Sequence, residues 1–258
     1  MTKTTQTIGL IVLLITRQIV YGQTIFNYKD DFKNILAKTK DQNENLSYDK
    51  LLKRFSVNDT TMTDFEVLAL LIGFTDKQEF EPYKDLGMES KIYDMNGDGK
   101  FQEALDSANI FLKSHPLSVK VLFEKGYSFY KLGQKDSAAY YSYKGHRIFK
   151  AMNFSGDGKT PETPAFALGP ADGQDYIYKF IGPQIGGARI GMMGSGEDKD
   201  GNFLDILEVV PKDGSPAYNL YFIIQHATDK MFSSEDMKNM EDVFKELENS
   251  DKKDNKKR

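Results

Sequence analysis

Two segments, Gly99-Lys100-Phe101-Gln102-Glu103-Ala104 and Gly133-Gln134-Lys135-Asp136-Ser137-Ala138, begin 34 residues apart and carry glycine and alanine in the same places. A repeat of that length is one helix-turn-helix unit, and it constrains the fold more than any other feature of the chain. Each glycine falls at the turn between two helices, and each alanine, five residues on, is a small contact where those helices cross closely. Pro116 follows the first unit where a helix must break, and Gly126 with Phe129 takes the packing positions on the first helix of the second unit. Two positions depart from the pattern: Lys125 stands where leucine is expected, and Ile92 replaces the small residue of the first unit's opening helix. Two units are too few for an independent solenoid, so the segments on either side are expected to cap the array.

Thirty-four residues is the tetratricopeptide period. Apolar residues recur at helical spacing from Phe26 to about Lys150, as in Phe32, Ile35, Leu36 and in Leu51, Leu52, Phe55. Thr63-Asp64-Phe65-Glu66 has the form of a capping box ahead of an apolar run, which predicts a helix start. After Ser155 glycine and proline cluster and apolar residues alternate, in Tyr176, Tyr178, Phe180, in residues 203–210 and in Tyr218, Leu220, Phe222, Ile224, which predicts strands. Ser233-Ser234-Glu235-Asp236 then caps a last amphipathic helix carrying Met237, Met240, Val243, Phe244 and Leu247. The expected fold is α+β: a helical tetratricopeptide-like region over residues 23–152, a small antiparallel β-region over 153–232, a C-terminal helix over 233–249 and a disordered charged tail over 250–258.

The N-terminus carries Lys3, an eight-residue apolar run at 8–15, and a polar stretch ending in Val20-Tyr21-Gly22. That is the pattern of a signal peptide over residues 1–22, with Gln23 as the expected mature start. Eight apolar residues fall short of the about 20 that a membrane span needs. The expected address is therefore the periplasm or the extracellular space, with no stable span after cleavage. The chain's 34 basic and 38 acidic residues give −4, and no basic stripe offsets this, so nucleic acid is excluded as a partner. Zero cysteines exclude disulfides, thiolate nucleophiles and thiolate-held metals.

Taken together, the N-terminal helices, Ser56-Val57-Asn58-Asp59-Thr60-Thr61 with its following helix, the repeat pair, and Ser155-Gly156-Asp157-Gly158-Lys159-Thr160-Pro161-Glu162-Thr163 leading into the β-region resemble the DUF4919 family of exported proteins from Gram-negative bacteria. The resemblance runs from about Tyr28 to Ile224. It implies export and a helical array joined to a β-region, and it carries no activity and no catalytic residues.

Several motifs invite chemistry. Asp94, Asn96 and Asp98 match the opening of a calcium-binding loop, but position twelve, which needs a bidentate carboxylate, is Leu105; a helix turn is the favoured reading and a weak calcium site the alternative. Residues 153–160 fall one glycine short of a phosphate loop, and Pro161 and Pro164 lead into an extended segment rather than a helix, so a turn entering the sheet is expected. Residues 182–201 hold seven glycines, read as hairpin turns and a bulge. His115, His146 and His226 are too far apart in sequence for a helical zinc pair, so no catalytic residue, metal or cofactor is assigned.

The remaining candidate is a surface. Lys120, Phe123, Tyr127, Tyr130 and Lys131 fall on the helix face that lines the concave side of such arrays, three rings about a turn apart with a lysine at either end to meet a carboxylate. The competing reading is that this face packs as ordinary core. The expected function is a non-enzymatic protein- or peptide-binding module acting on a partner of the cell envelope. The alternatives are an accessory carbohydrate- or small-ligand-binding envelope protein using the glycine-rich loop and strand tyrosines, and, third, an envelope hydrolase.

Overall fold

The computed structural model describes residues 26–232. The expected signal peptide, C-terminal helix and charged tail lie outside the described residues. Seven helices come first: α1 (Tyr28–Lys40), α2 (Tyr48–Ser56), α3 (Asp64–Phe74), α4 (Pro82–Gly97), α5 (Phe101–Ser114), α6 (Val119–Lys131) and α7 (Lys135–Ser155). The strand β1 (Ala165–Phe166) follows, then α8 (Asp172–Tyr176), which runs through a π-helical stretch (Ile177–Ile181) into the short α9 (Gly182–Gln184). The chain closes on β2 (Ala188–Glu197), β3 (Phe203–Pro211), β4 (Tyr218–Ile223) and α10 (Gln225–Phe232). The fold is α+β.

The capping box forms as its residues predict: the Glu66 amide donates to Thr63 Oγ1 at 3.1 Å, and the Thr63 amide donates to Glu66 Oε2 at 2.7 Å. It starts α3, whose residues from Val67 to Phe74 are all buried because α1, α2 and α7 pack around it. The two 34-residue units end their first helices alike. Lys100 N donates to Met95 O and Gly99 N to Asn96 O; 34 residues on, Gln134 N donates to Phe129 O and Gly133 N to Tyr130 O. This paired closure needs a left-handed residue, and Gly99 and Gly133 supply it at φ 77° and 78°. Ala104 and Ala138 are both buried beyond those turns.

The sheet order is β1-β4-β3-β2. β2, β3 and β4 are antiparallel, but β1 lies parallel to β4, pairing Ala165 with Phe222, so the sheet is mixed rather than wholly antiparallel. Two residues after a proline carry no alternation from which this strand could be read. A second difference concerns Tyr176, Tyr178 and Phe180, which lie in α8 and the π-helical stretch rather than in a strand. Tyr176 and Phe180 meet with ring centroids 5.0 Å apart, the i,i+4 contact of a helix, while Tyr178 between them turns to solvent, so two of the three alternating positions fit either period. The glycine-rich segment does form turns and a bulge: Gly186, Gly187 and Gly201 have positive φ, and the β2–β3 register shifts between Ile190 and Met193.

One buried core joins helices and sheet, with Leu68, Ile72, Phe149 and Met152 on one side and Phe166, Tyr176, Leu204 and Phe222 on the other. A smaller core, Ile92, Ala104, Ala108, Phe111 and Val121, holds α4, α5 and α6 together. Ile92 thus works as core where the repeat pattern called for a small residue. Among the described residues no helix is long and apolar enough to cross a membrane.

Candidate functional site

Helix α6 is capped by Ser118, whose Oγ accepts from the Val121 amide at 3.3 Å, and this sets the phase of the face that follows. Gly126 lies where a Cβ would come within 2.9 Å of Ser142 Oγ and 3.2 Å of the Ala138 carbonyl, so α6 and α7 approach closely there. The close crossing leaves the aromatic side of α6 facing out, over the end of α4 and the start of α7. The result is a groove of about 810 Å³, within the range of ligand sites.

Phe123, Tyr127 and Tyr130 all line this groove. Tyr127 is 45% and Tyr130 62% exposed, while Phe123 is half-buried, stacked on Phe149 at 5.2 Å and seated against Gly145, where no side chain would fit. The stripe is therefore open at two rings and anchored in core at the third. Lys120 and Lys131 do not line the groove; they flank it, Lys120 Nζ 5.5 Å from the centre of the Tyr93 ring, and Lys131 Nζ 5.3 Å from that of Phe101 and 5.9 Å from that of Tyr127.

Sequence reasoning missed the polar floor. The Glu124 carboxylate, buried at the groove, accepts from Asn96 Nδ2 at 3.0 Å and lies 3.4 Å from Lys179 Nζ, which also pairs with Asp175 at 2.8 Å. Asn96 Oδ1 in turn accepts from Ser128 Oγ at 2.8 Å. Tyr93 adds a fourth ring and Lys135 a second cation. Lys179 arrives from the π-helical stretch, 55 residues from Glu124, and no local pattern could have announced it. Glu124 and Ser128 lie four apart on the same helix as the rings, and their phase was the one available signal.

The residues of the calcium alternative are placed by α4 and the turn that ends it. Asp94 and Asn96 belong to α4 instead of a loop, Asn96 spends its amide on Glu124 and Ser128, and Asp98 accepts from Lys100 at 2.9 Å. Of residues 153–160, the first three end α7 and the rest make a turn: Asp157 Oδ1 accepts from the Lys159 amide and from Thr163 Oγ1, and the Gly158 carbonyl accepts from the Tyr221 amide of β4. This turn leaves a helix and enters a strand, the reverse of a phosphate loop.

The three histidines lie in separate parts of the fold, His146 within α7, His115 at the end of α5 and His226 in α10. His226 is buried and stacked on Phe166 at 4.5 Å, and burial lowers its pKa to about 4. His146 bonds the Ser142 carbonyl at 2.8 Å and meets the Phe123 ring edge-on. His115 gathers chemistry that the sequence did not announce. Its Nε2 lies 3.2 Å from Asp85 Oδ1 and 2.9 Å from the Glu79 carbonyl, and its Nδ1 lies 2.8 Å from Ser114 Oγ. Burial lowers its pKa, but the Asp85 carboxylate outweighs that and holds it above the ordinary value.

Beside His115, Ser118 donates to Glu89 at 2.6 Å, and Asp172 accepts from the Gly169 amide at 2.9 Å. Burial pushes both carboxyls up, Asp172 strongly, with the charge of Glu89 adding to the rise at Asp172 and that of Asp175 to the rise at both. The constellation suggests catalysis only until its space is measured. The adjoining cavity is about 30 Å³, the share of a single water, and the His115 ring lies flat on Phe111 at 4.3 Å. Ser114 Oγ also reaches its own Phe111 carbonyl at 3.2 Å.

Among known proteins, a family model described as Domain of unknown function (DUF4919) matches residues 33–182. No curated protein and no solved structure matches the chain.

Proposed function

Because the chain belongs to the DUF4919 family, whose description assigns no role, we propose from the groove alone that it is a non-enzymatic binding module holding a peptide or protein segment between α4, α6 and α7. The observation that carries this reading is the pair of exposed rings, Tyr127 and Tyr130, over a groove of about 810 Å³ whose floor is the Glu124–Asn96–Lys179 network. Rigid aromatics give contact area at low entropy cost, and a few fixed polar groups give orientation. The tetratricopeptide-like reading is supported by the turn bonds that recur at 34 residues and by the concave placement of the stripe. Export to the periplasm or beyond remains part of the proposal and rests on the sequence of residues 1–22. The partner is then a component of the cell envelope.

The test is selection of peptides from a random library on the immobilised chain from Gln23, followed by titration of each selected peptide against a Tyr127→Ala/Tyr130→Ala variant. Both rings are exposed, so the variant is expected to fold. Peptides that bind the parent and lose about tenfold or more on the variant support the groove. Equal affinity for both would place the site elsewhere.

A further inference from the structure

The opposite face of α6 holds a second concavity, of about 260 Å³, between α2, α5, α6 and α7. It includes Lys125, the residue that departs from the leucine expected at its repeat position. Lys125 and Lys144 are only 6% and 8% exposed, and both line this pocket together with the more accessible Lys113. Leu52, Leu112 and Leu122 form its apolar wall.

Among the described residues, charge is placed here without a counter-charge. No ion pair among the described residues includes Lys113, Lys125 or Lys144. Lys144 Nζ donates to the Ser56 carbonyl at the end of α2, at 2.8 Å, which gives it the negative pole of one helix. Lys125 has the face of Tyr141 beneath it, with Nζ 4.0 Å from the ring centre. Burying two like charges without an anion is costly, and leucine or methionine at position 125 would fill the same space at no such cost. Burial lowers the Lys144 pKa to about 8, with the charge of Lys125 adding to the fall.

We infer that this pocket binds a small organic anion, its carboxylate or phosphate head between Lys125 and Lys144 and a short apolar body against Leu52, Leu112 and Leu122. An oxyanion here would accept charge-assisted hydrogen bonds from both ammonium groups and relieve their mutual repulsion. The volume excludes a polymer in the pocket itself and suits a head with a few carbons. The leucine wall favours an anion with an apolar body over inorganic phosphate.

The test is calorimetric titration of the full chain at low ionic strength with benzoate, phenyl phosphate, inorganic phosphate and, as the uncharged control, benzyl alcohol. Benzoate or phenyl phosphate is expected to bind, whichever head fits better, with inorganic phosphate weaker and benzyl alcohol weaker still. Lys125→Met is expected to weaken the organic anions by about tenfold or more, while Tyr127→Ala/Tyr130→Ala leaves them unchanged. That separation distinguishes a failure here from a failure of the groove. A readout on the parent chain alone covers the case of a variant that does not fold: the Lys144 pKa, followed by NMR of the side chain, rises on adding the bound anion. No binding by either organic anion, equal binding by Lys125→Met, or a Lys144 pKa unmoved at saturation would overturn the inference.

Discussion

The groove and the carboxyl cluster lie side by side along α4 and are bridged by Lys179, which pairs with Glu124 on one side and with Asp175, near Glu89 and Asp172, on the other. Both collect polar side chains that could do chemistry. One encloses about 810 Å³ and the other about 30 Å³. The cluster holds the richer set, with a histidine against an aspartate, two hydroxyls and two buried carboxyls, yet its donors and acceptors are spent on one another and on backbone. The groove keeps two tyrosine rings turned to solvent over a fixed floor. What separates the two here is room.

The comparison can be broken or sharpened by mutation. The largest effect is expected from Phe149→Ala, which empties a fully buried ring position shared by the helical array and the sheet; urea unfolding should show a loss of about 3–5 kcal/mol, with groove and cluster lost together. Next, Asn96→Ala strips Glu124 and Ser128 of a buried partner and should cost about 1–3 kcal/mol, measured the same way, while leaving His115 and Asp85 untouched. The cluster should reveal itself through pH. Asp172 and Glu89 ionise less readily in the folded chain than in the unfolded one, so the folded state holds more protons once the pH passes the ordinary values of 3.8 and 4.5. Stability therefore falls as pH rises from about 4 through the folded pKa values, and Asp172→Asn should flatten that fall in melts taken across the range. The smallest effect belongs to Tyr130→Ala, expected to stay within about 0.5 kcal/mol of the parent because the ring is exposed.

Much of the helical half could be read in the sequence because its signals are local. Thr63 with Glu66, and Gly99 and Gly133 at the same offset, are short-range bonds and backbone angles that residue identity controls. The later half was harder. Three alternating aromatics could not separate a strand from an i,i+4 contact, and β1 is held by its partner β4 rather than by a pattern of its own. The stripe of Phe123, Tyr127 and Tyr130 was legible because one helix carries it. Its floor was not, since Asn96, Glu124 and Lys179 come from three segments that meet only in the folded chain. The buried pair Lys125 and Lys144 lies between: the odd residue at 125 stood out, but its neighbour on α7 could not be seen until α6 and α7 packed.

The most direct test of the groove against the cluster is to titrate one peptide selected on the parent chain against two variants, Tyr127→Ala/Tyr130→Ala and His115→Phe, each shown by circular dichroism to be folded. A groove site predicts about tenfold or greater loss in the first and unchanged affinity in the second. Retained binding in the tyrosine variant together with loss in His115→Phe would contradict it and return the function to the cluster.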